Sequence, residues 1–197
     1  MEFSYVKGKK VLKDINFEIT EKEKIQIYGK NGSGKTTLIK LIIGLLKADQ
    51  GAILFNDIPI EEISNEDLRK RIGVLSQNSF IFTGSVIENI ISCEEEAILW
   101  NKIKNNEVFQ GVDWNNGTII ENGKNLSSGQ KQKIVLARVM VRNPDVIIID
   151  EGITNLDAES QYLIQKALDT VFKEKICIII SHTGDVKEHV DRKICLS

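Results

Sequence analysis

The residues Gly29-Lys30-Asn31-Gly32-Ser33-Gly34-Lys35-Thr36 have the spacing of a loop that cradles phosphate. Glycines let consecutive backbone N–H groups turn inward onto phosphate oxygens. Lys35 supplies a full charge to a β- or γ-phosphate, and the Thr36 hydroxyl can ligate Mg²⁺. A second chemical element is Val146-Ile147-Ile148-Ile149-Asp150-Glu151, an apolar strand ending in two carboxylates. Ligands of open α/β sheets bind beyond the carboxyl ends of the strands, which places this pair beside the phosphate loop. Asp150 is then the natural Mg²⁺ partner, and Glu151 can polarise or deprotonate an attacking water. A solvated Asp-Glu turn is the plain alternative, and the phosphate loop upstream disfavours it.

The elements around these residues suit the task. Ile25–Tyr28 reads as a buried strand entering the loop, and Lys35–Leu46 as an apolar helix leaving it, with its positive dipole end toward the phosphates. Elsewhere, short β-branched runs alternate with helical stretches, predicting an α/β fold with a mostly parallel sheet. Phe3 to Ile19 alternates apolar and polar residues, as antiparallel strands joined by Lys7-Gly8-Lys9-Lys10 would. Ala52–Phe55 is a predicted strand turned by Asn56-Asp57, and Ser64 with Asp67 a capping box for a helix to Arg71. Ile72–Ser76 is a strand. From about Asn78 to Asn125 the rhythm breaks into short helical patterns, Val86–Ile91 and Glu94–Lys104, which read as an insertion. A long helix over Ser128–Val141 stops before Pro144. The strand Val146–Ile149, the helix Ala158–Phe172 and the strand Ile176–Ile180 follow, then a short helix and a last strand near Lys193–Leu196.

Bulk properties exclude several classes of function. The 197 residues suit one domain with a modest insertion, and a net charge of −2 gives no bulk attraction to nucleic acid or to an anionic membrane. Cys93, Cys177 and Cys195 form no CxxC pair and read as reduced packing thiols of a cytosolic chain. No leader is expected at Met1-Glu2-Phe3-Ser4, and no apolar run reaches membrane-spanning length, so a membrane link is expected through a partner or through another segment of an excised domain.

Between the two chemical elements lies Leu126-Ser127-Ser128-Gly129-Gln130, which resembles the LSGGQ signature of ABC (ATP-binding cassette) ATPases, with Ser128 in place of the first glycine. The helix Lys131-Gln132-Lys133-Ile134-Val135-Leu136-Ala137-Arg138 continues the likeness, which covers nearly the whole chain. Further positions match in order. Tyr5 resembles the aromatic that stacks on adenine, Gln77 the Q-loop glutamine, Asp157 (in Thr154-Asn155-Leu156-Asp157) the D-loop aspartate, and His182 the switch histidine; His189 reads as a surface or packing residue. Phe80-Ile81-Phe82-Thr83-Gly84-Ser85-Val86-Ile87-Glu88-Asn89-Ile90 resembles the exporter pattern after the Q-loop. Glu121-Asn122-Gly123 is similar to the exporter x-loop, although Ile120 stands where glycine is common.

The resemblance implies a P-loop NTPase core with a mostly parallel sheet, an N-terminal antiparallel β subdomain and an inserted helical subdomain. The core and β subdomain would occupy about 1–77 and 140–197, and the helical subdomain about 78–139. It implies ATP and Mg²⁺ as ligands. Gly29, Asn31, Gly32, Ser33, Gly34, Lys35, Thr36 and Thr37 would cradle the phosphates, with Tyr5 on the base. Thr36, Gln77 and Asp150 would hold the metal, while Glu151, His182, Gln77 and Lys35 act on the γ-phosphate and water. Ser127, Gly129, Gln130 and Asp157 would serve the second nucleotide of a head-to-tail dimer, taken as a homodimer. The implied partner is a transmembrane domain at the cytoplasmic face of the membrane, with no nucleic acid. An ABC importer subunit, a soluble ABC machine and a regulatory module that senses ATP remain as rival readings.

Overall fold

The computed structural model describes residues 1–76, 79–109, 117–150, 158–182 and 190–196. In chain order the strands are β1 (Phe3–Val6), β2 (Lys9–Leu12), β3 (Lys24–Tyr28), β4 (Leu54–Phe55), β5 (Ile58–Pro59), β6 (Ile72–Ser76), β7 (Gly84–Ser85), β8 (Thr118–Ile119), β9 (Val146–Asp150), β10 (Ile176–Ser181) and β11 (Arg192–Cys195). The helices are α1 (Lys35–Ile42), α2 (Asn65–Arg71), α3 (Glu94–Ile103), α4 (Ser128–Arg142) and α5 (Ala158–Asp169). Five strands form one sheet in the order β11-β3-β10-β9-β6, all neighbours parallel. The remaining pairs, β1–β2, β4–β5 and β7–β8, are antiparallel.

A parallel sheet needs cover on both faces, and the side chains of its strands divide accordingly. Ile147, Ile149, Cys177 and Ile179 join a core with α4 and α5 residues such as Leu136, Ala137, Ile164 and Ala167. Their neighbours Val146, Ile148, Ile178 and Ile180 join a second core with Leu38 and Leu41 of α1 and with Phe3 and Leu12 of the β1–β2 hairpin. The continuous apolar runs that looked like buried strands are therefore buried on two sides at once.

Local chemistry sets most boundaries. Ser64 accepts from the Asp67 amide and starts α2. Asn56 and Asp57, both at positive φ, close the β4–β5 hairpin, so the predicted strand at Ala52 begins only at Leu54. Asn143, at φ 47°, ends α4 one residue before Pro144. Other expectations are corrected. Helix α1 stops at Ile42 instead of Leu46, because Gly44 (φ +72°) turns the chain and Lys40 O receives the Leu45 and Leu46 amides. The helix predicted to run to Phe172 ends at Asp169. Val86–Ile91 is not a helix but a string of turns, its Asn89 side chain bonded to the backbone of Phe82 and Ser85. The antiparallel ladder expected from Phe3 to Ile19 ends at Leu12. Ile15, Phe17 and Ile19 keep the alternate half-burial of a strand, yet among the described residues only Ile15 donates a backbone bond there, to Met1 O. That segment, the β4–β5 hairpin and the amino-terminal ends of β6, β9 and β10 enclose a cavity of about 910 Å³. No helix of the described residues is long and apolar enough to cross a membrane.

The three thiols separate. Cys93 and Cys195 are exposed, contrary to a packing role, and only Cys177 is buried, where desolvation pushes its thiol up to about 12. At pH 8 the Cys177 thiol stays protonated and covered, so iodoacetamide on the native protein is expected to modify Cys93 and Cys195 alone, the third adduct appearing only in denaturant; intact mass reads the count. Leu136→Ala, at a position with 0% exposure, is expected to cost about 2–5 kcal/mol in chemical denaturation.

Candidate functional site

The carboxyl ends of four parallel strands lie side by side. Tyr28, which ends β3, is in register with Ser181 of β10; Ile149 of β9 is in register with Ile179 of β10; Asp150 of β9 is in register with Ser76 of β6. One edge of the sheet therefore carries the phosphate loop after Tyr28, His182 after Ser181, Asp150, and the exit of β6 toward Gln77. A buried hydrogen bond, 2.8 Å from Gln26 Nε2 to Ser181 Oγ, ties β10 to β3 immediately behind this edge.

The loop has the shape its sequence predicts. Gly34 is the N-cap of α1 in the left-handed region (φ 93°), and a Cβ there would meet Leu12 Cδ2 at 2.5 Å. A Cβ on Gly29 would lie 2.3 Å from Leu196 O, so this strand exit admits only glycine. No side chain caps α1, which leaves the N–H groups of its first turn turned toward the loop. Lys35 is only 6% exposed, and its ammonium donates to Gly29 O at 2.7 Å and Lys30 O at 2.9 Å. The charge is thus held inside the loop by neutral oxygens. Asn31, Gly32 and Thr36 are exposed, whereas Ser33 Oγ is buried with no hydrogen-bond partner. An orphaned hydroxyl, uncapped amides and a buried ammonium within one loop are a donor set for an anion.

Tyr5 projects from β1, exposed, with its hydroxyl 3.3 Å from Thr37 Oγ1 and its ring edge-on to Phe3 at 5.0 Å. An aromatic face is thereby fixed against the first turn of α1. Asp150 and His182 are half-buried at their strand ends. Asp150, at the end of β9, and Thr36, in the first turn of α1, are oxygen donors of the kind Mg²⁺ takes. Gln77, Glu151, Asp157 and His189 lie outside the described residues.

The signature turn starts α4. Ser127 Oγ accepts from the Gln130 amide at 3.2 Å and Gln130 Oε1 accepts from the Ser127 amide at 2.9 Å, a complete capping box. The Gln130 side chain, assigned to ligand from the sequence, is thus engaged in holding the helix start. Ser128 is exposed within a regular first turn, and the departure from glycine is absorbed without distortion. Gly129 is buried, with the Glu159 carboxylate 3.1 Å from where a Cβ would stand, and Glu159 in turn pairs with Lys133 at 3.0 Å. Sequence reasoning missed Gln26, Glu159 and Arg138. Gln26 and Arg138 carried a signal, each being a polar residue inside an apolar run; Glu159, on an exposed helix start, carried none.

Comparison with known proteins agrees with this geometry. The profile of the ABC transporter family matches residues 12–154, from β2 through the signature and the strand carrying Asp150. Two Staphylococcus aureus proteins named as multidrug export ATP-binding/permease proteins, from strains bovine RF122 / ET3-1 and COL, are each 35% identical over 196 residues, covering 94% of this chain and 33% of the relative. The chain spans about a third of the length of these curated relatives. Among solved structures, the structure of a bacterial Atm1-family ABC exporter with ATP bound has a TM-score of 0.82 at 24% identity, covering 100% of this chain and 36% of that one, a likeness of fold. With most of its length matched by the family profile, the chain belongs to the ABC transporter family.

Proposed function

We propose that this chain is the ATP-binding and ATP-hydrolysing domain of an ABC exporter, working as a head-to-tail dimer at the cytoplasmic face of a membrane. The observation that carries the reading is the buried Lys35 ammonium, enclosed by the phosphate loop at the sheet edge that also bears Asp150 and His182. On binding ATP, Lys35 exchanges the carbonyls of Gly29 and Lys30 for β- and γ-phosphate oxygens, while the amides of Gly32 to Thr37 and the Ser33 hydroxyl take the remaining ones. Tyr5 stacks on the base and contributes affinity more than selectivity, since every base presents a π-face. Thr36, Asp150 and Gln77 would hold Mg²⁺, which would supply positive charge to offset that of the phosphates. Glu151 orients the attacking water and accepts its proton, and His182 contacts the γ-phosphate from the neighbouring strand end. The rate gain comes from positioning and fixed charge.

The second half of each site comes from the partner copy. Ser127, Gly129 and the positive end of α4 supply donors to the γ-phosphate bound in the opposite protomer, with Gln130 holding that helix start and Asp157 at the subunit contact. Loss of the γ-phosphate removes the bridge and releases the dimer. Residues 78–139 act as the helical subdomain that carries the signature, and the rest as core and β subdomain. The export assignment is supported by the names of the relatives and by the share of their length, about two thirds, that lies outside the match. The exposed, edge-to-face pair Phe80 and Phe82, just after Gln77, is the patch on which a transmembrane domain docks.

Phosphate release is expected to rise faster than linearly with protein concentration, because each site needs two chains. Glu151→Gln should lower turnover by about 100-fold or more while ATP still binds. Lys35→Ala should weaken ATP binding by roughly 10- to 100-fold, the loss of charge-assisted hydrogen bonds. Strictly linear turnover would overturn the dimeric mechanism, and a Glu151→Gln protein as active as the parent would overturn the catalytic role of Glu151.

A further inference from the structure

The segment Phe80–Asn89 is joined to the signature helix by a residue that the proposed chemistry does not use. Arg138 lies in α4, its guanidinium donating to Asn89 O, to Phe80 O and, at 2.8 Å, to Asn89 Oδ1. The same cation lies 5.5 Å from the centroid of the Phe82 ring. Asn89 is 3% exposed and fully engaged: Oδ1 also accepts from the Phe82 amide at 2.7 Å, and Nδ2 donates to Phe82 O at 2.9 Å and Ser85 O at 3.0 Å. Burial and the neighbouring Arg142 both lower the Arg138 pKa, so this cation is tolerated because a planar fork of acceptors receives it. A lysine cannot hold that fork.

These bonds tie two surfaces of different use. On one side, Phe80 and Phe82 are 58% and 57% exposed and pack edge-to-face at 5.0 Å. On the other, Arg138 and Gly129 belong to one unbroken helix, nine residues apart or roughly 14 Å along its axis. The segment is gripped from the front as well, where the Ile81 amide donates to Asn122 Oδ1 at 3.0 Å in the turn before the signature.

We infer that Arg138, stapled through Asn89, is a positioning residue that transmits displacement of the Phe80–Phe82 patch to the signature turn at the start of α4. The inference rests on the reading of that patch as the docking face and of Ser127–Gln130 as the nucleotide-facing turn. A packed helix moves as a rod, so a partner pressing on Phe82 moves Arg138 and, with it, the donors at Ser127 and Gly129. The patch and the nucleotide then bias one mechanical element.

The test is hydrogen–deuterium exchange on four forms of the full chain: parent, Phe82→Ala, Arg138→Gln and the double variant. The probes are the Ile81–Ser85 amides and the Gln130 and Lys131 amides, which bond to Ser127 Oγ and Ser127 O. Phe82→Ala should speed exchange about fivefold or more at both places in the parent background, and only at Ile81–Ser85 when Arg138 is Gln. A merely structural Arg138 would leave the response at Gln130 and Lys131 in place, and its survival in the double variant overturns the inference. So does a Phe82→Ala protein in which those two amides never respond. If Arg138→Gln does not fold, Asn89→Ala breaks the staple from the other side and must give the same loss. Phosphate release is followed on the same proteins: a parent without turnover rejects the functional reading, while the exchange pattern still decides the coupling.

Discussion

Parallel pairing fixes everything that happens at the upper edge of this sheet. Strands that run in one direction end on one side, and here the register brings Tyr28, Ser181, Asp150 and Ser76 to that side together. The register is itself held by burial. Ile147 and Ile149 face α4 and α5, whereas Val146 and Ile148 face α1 and the β1–β2 hairpin. A one-residue slip of β9 would exchange these two sets between cores shaped for different neighbours, and would carry Asp150 off the edge. The chemistry at one end of the sheet is thus stabilised by packing along its whole length, and the Gln26–Ser181 bond adds a polar lock where apolar packing alone would tolerate sliding.

Two helix starts in the molecule treat their unpaired amides in opposite ways. At α4 the chain satisfies them itself, through Ser127 and Gln130, and the start is rigid before any ligand arrives. At α1 a left-handed glycine replaces a capping side chain, and the amides are left to whatever enters the loop. The difference suits the proposed function, in which one start would wrap a phosphate group and the other would present a fixed face to it.

Much of this was legible in the sequence because the signals were local. The phosphate loop, the Ser64 and Ser127 helix starts, the stop before Pro144 and the strand ending in Asp150 each follow from residues within a few positions of one another. The misreadings share a cause as well. Alternation at Ile15, Phe17 and Ile19 is the mark of a strand face, but a strand also needs a backbone neighbour, and no pattern in one segment reports whether a neighbour exists. Helix α1 was overrun because apolar periodicity continues through Leu45 and Leu46 while the backbone reverses at Gly44. The bonds of Arg138 to residues 49 and 58 positions away are of a kind that only folding reveals, although an arginine in the run Leu136-Ala137-Arg138-Val139 already marked a place where burial had to be offset.

The lysine inside the phosphate loop has a consequence for which anions can enter. Its ammonium is already stripped of most water and already has two carbonyl partners, so an incoming group competes with the protein's own oxygens and not with solvent. Neutral groups offer little more than the carbonyls do, a singly charged group offers one full charge, and a chain of phosphates offers several. The attraction of the loop for an anion therefore grows with the charge the anion brings. A ligand gains only by the charge it carries beyond what two peptide dipoles supply, a form of discrimination that needs no contact with base or sugar.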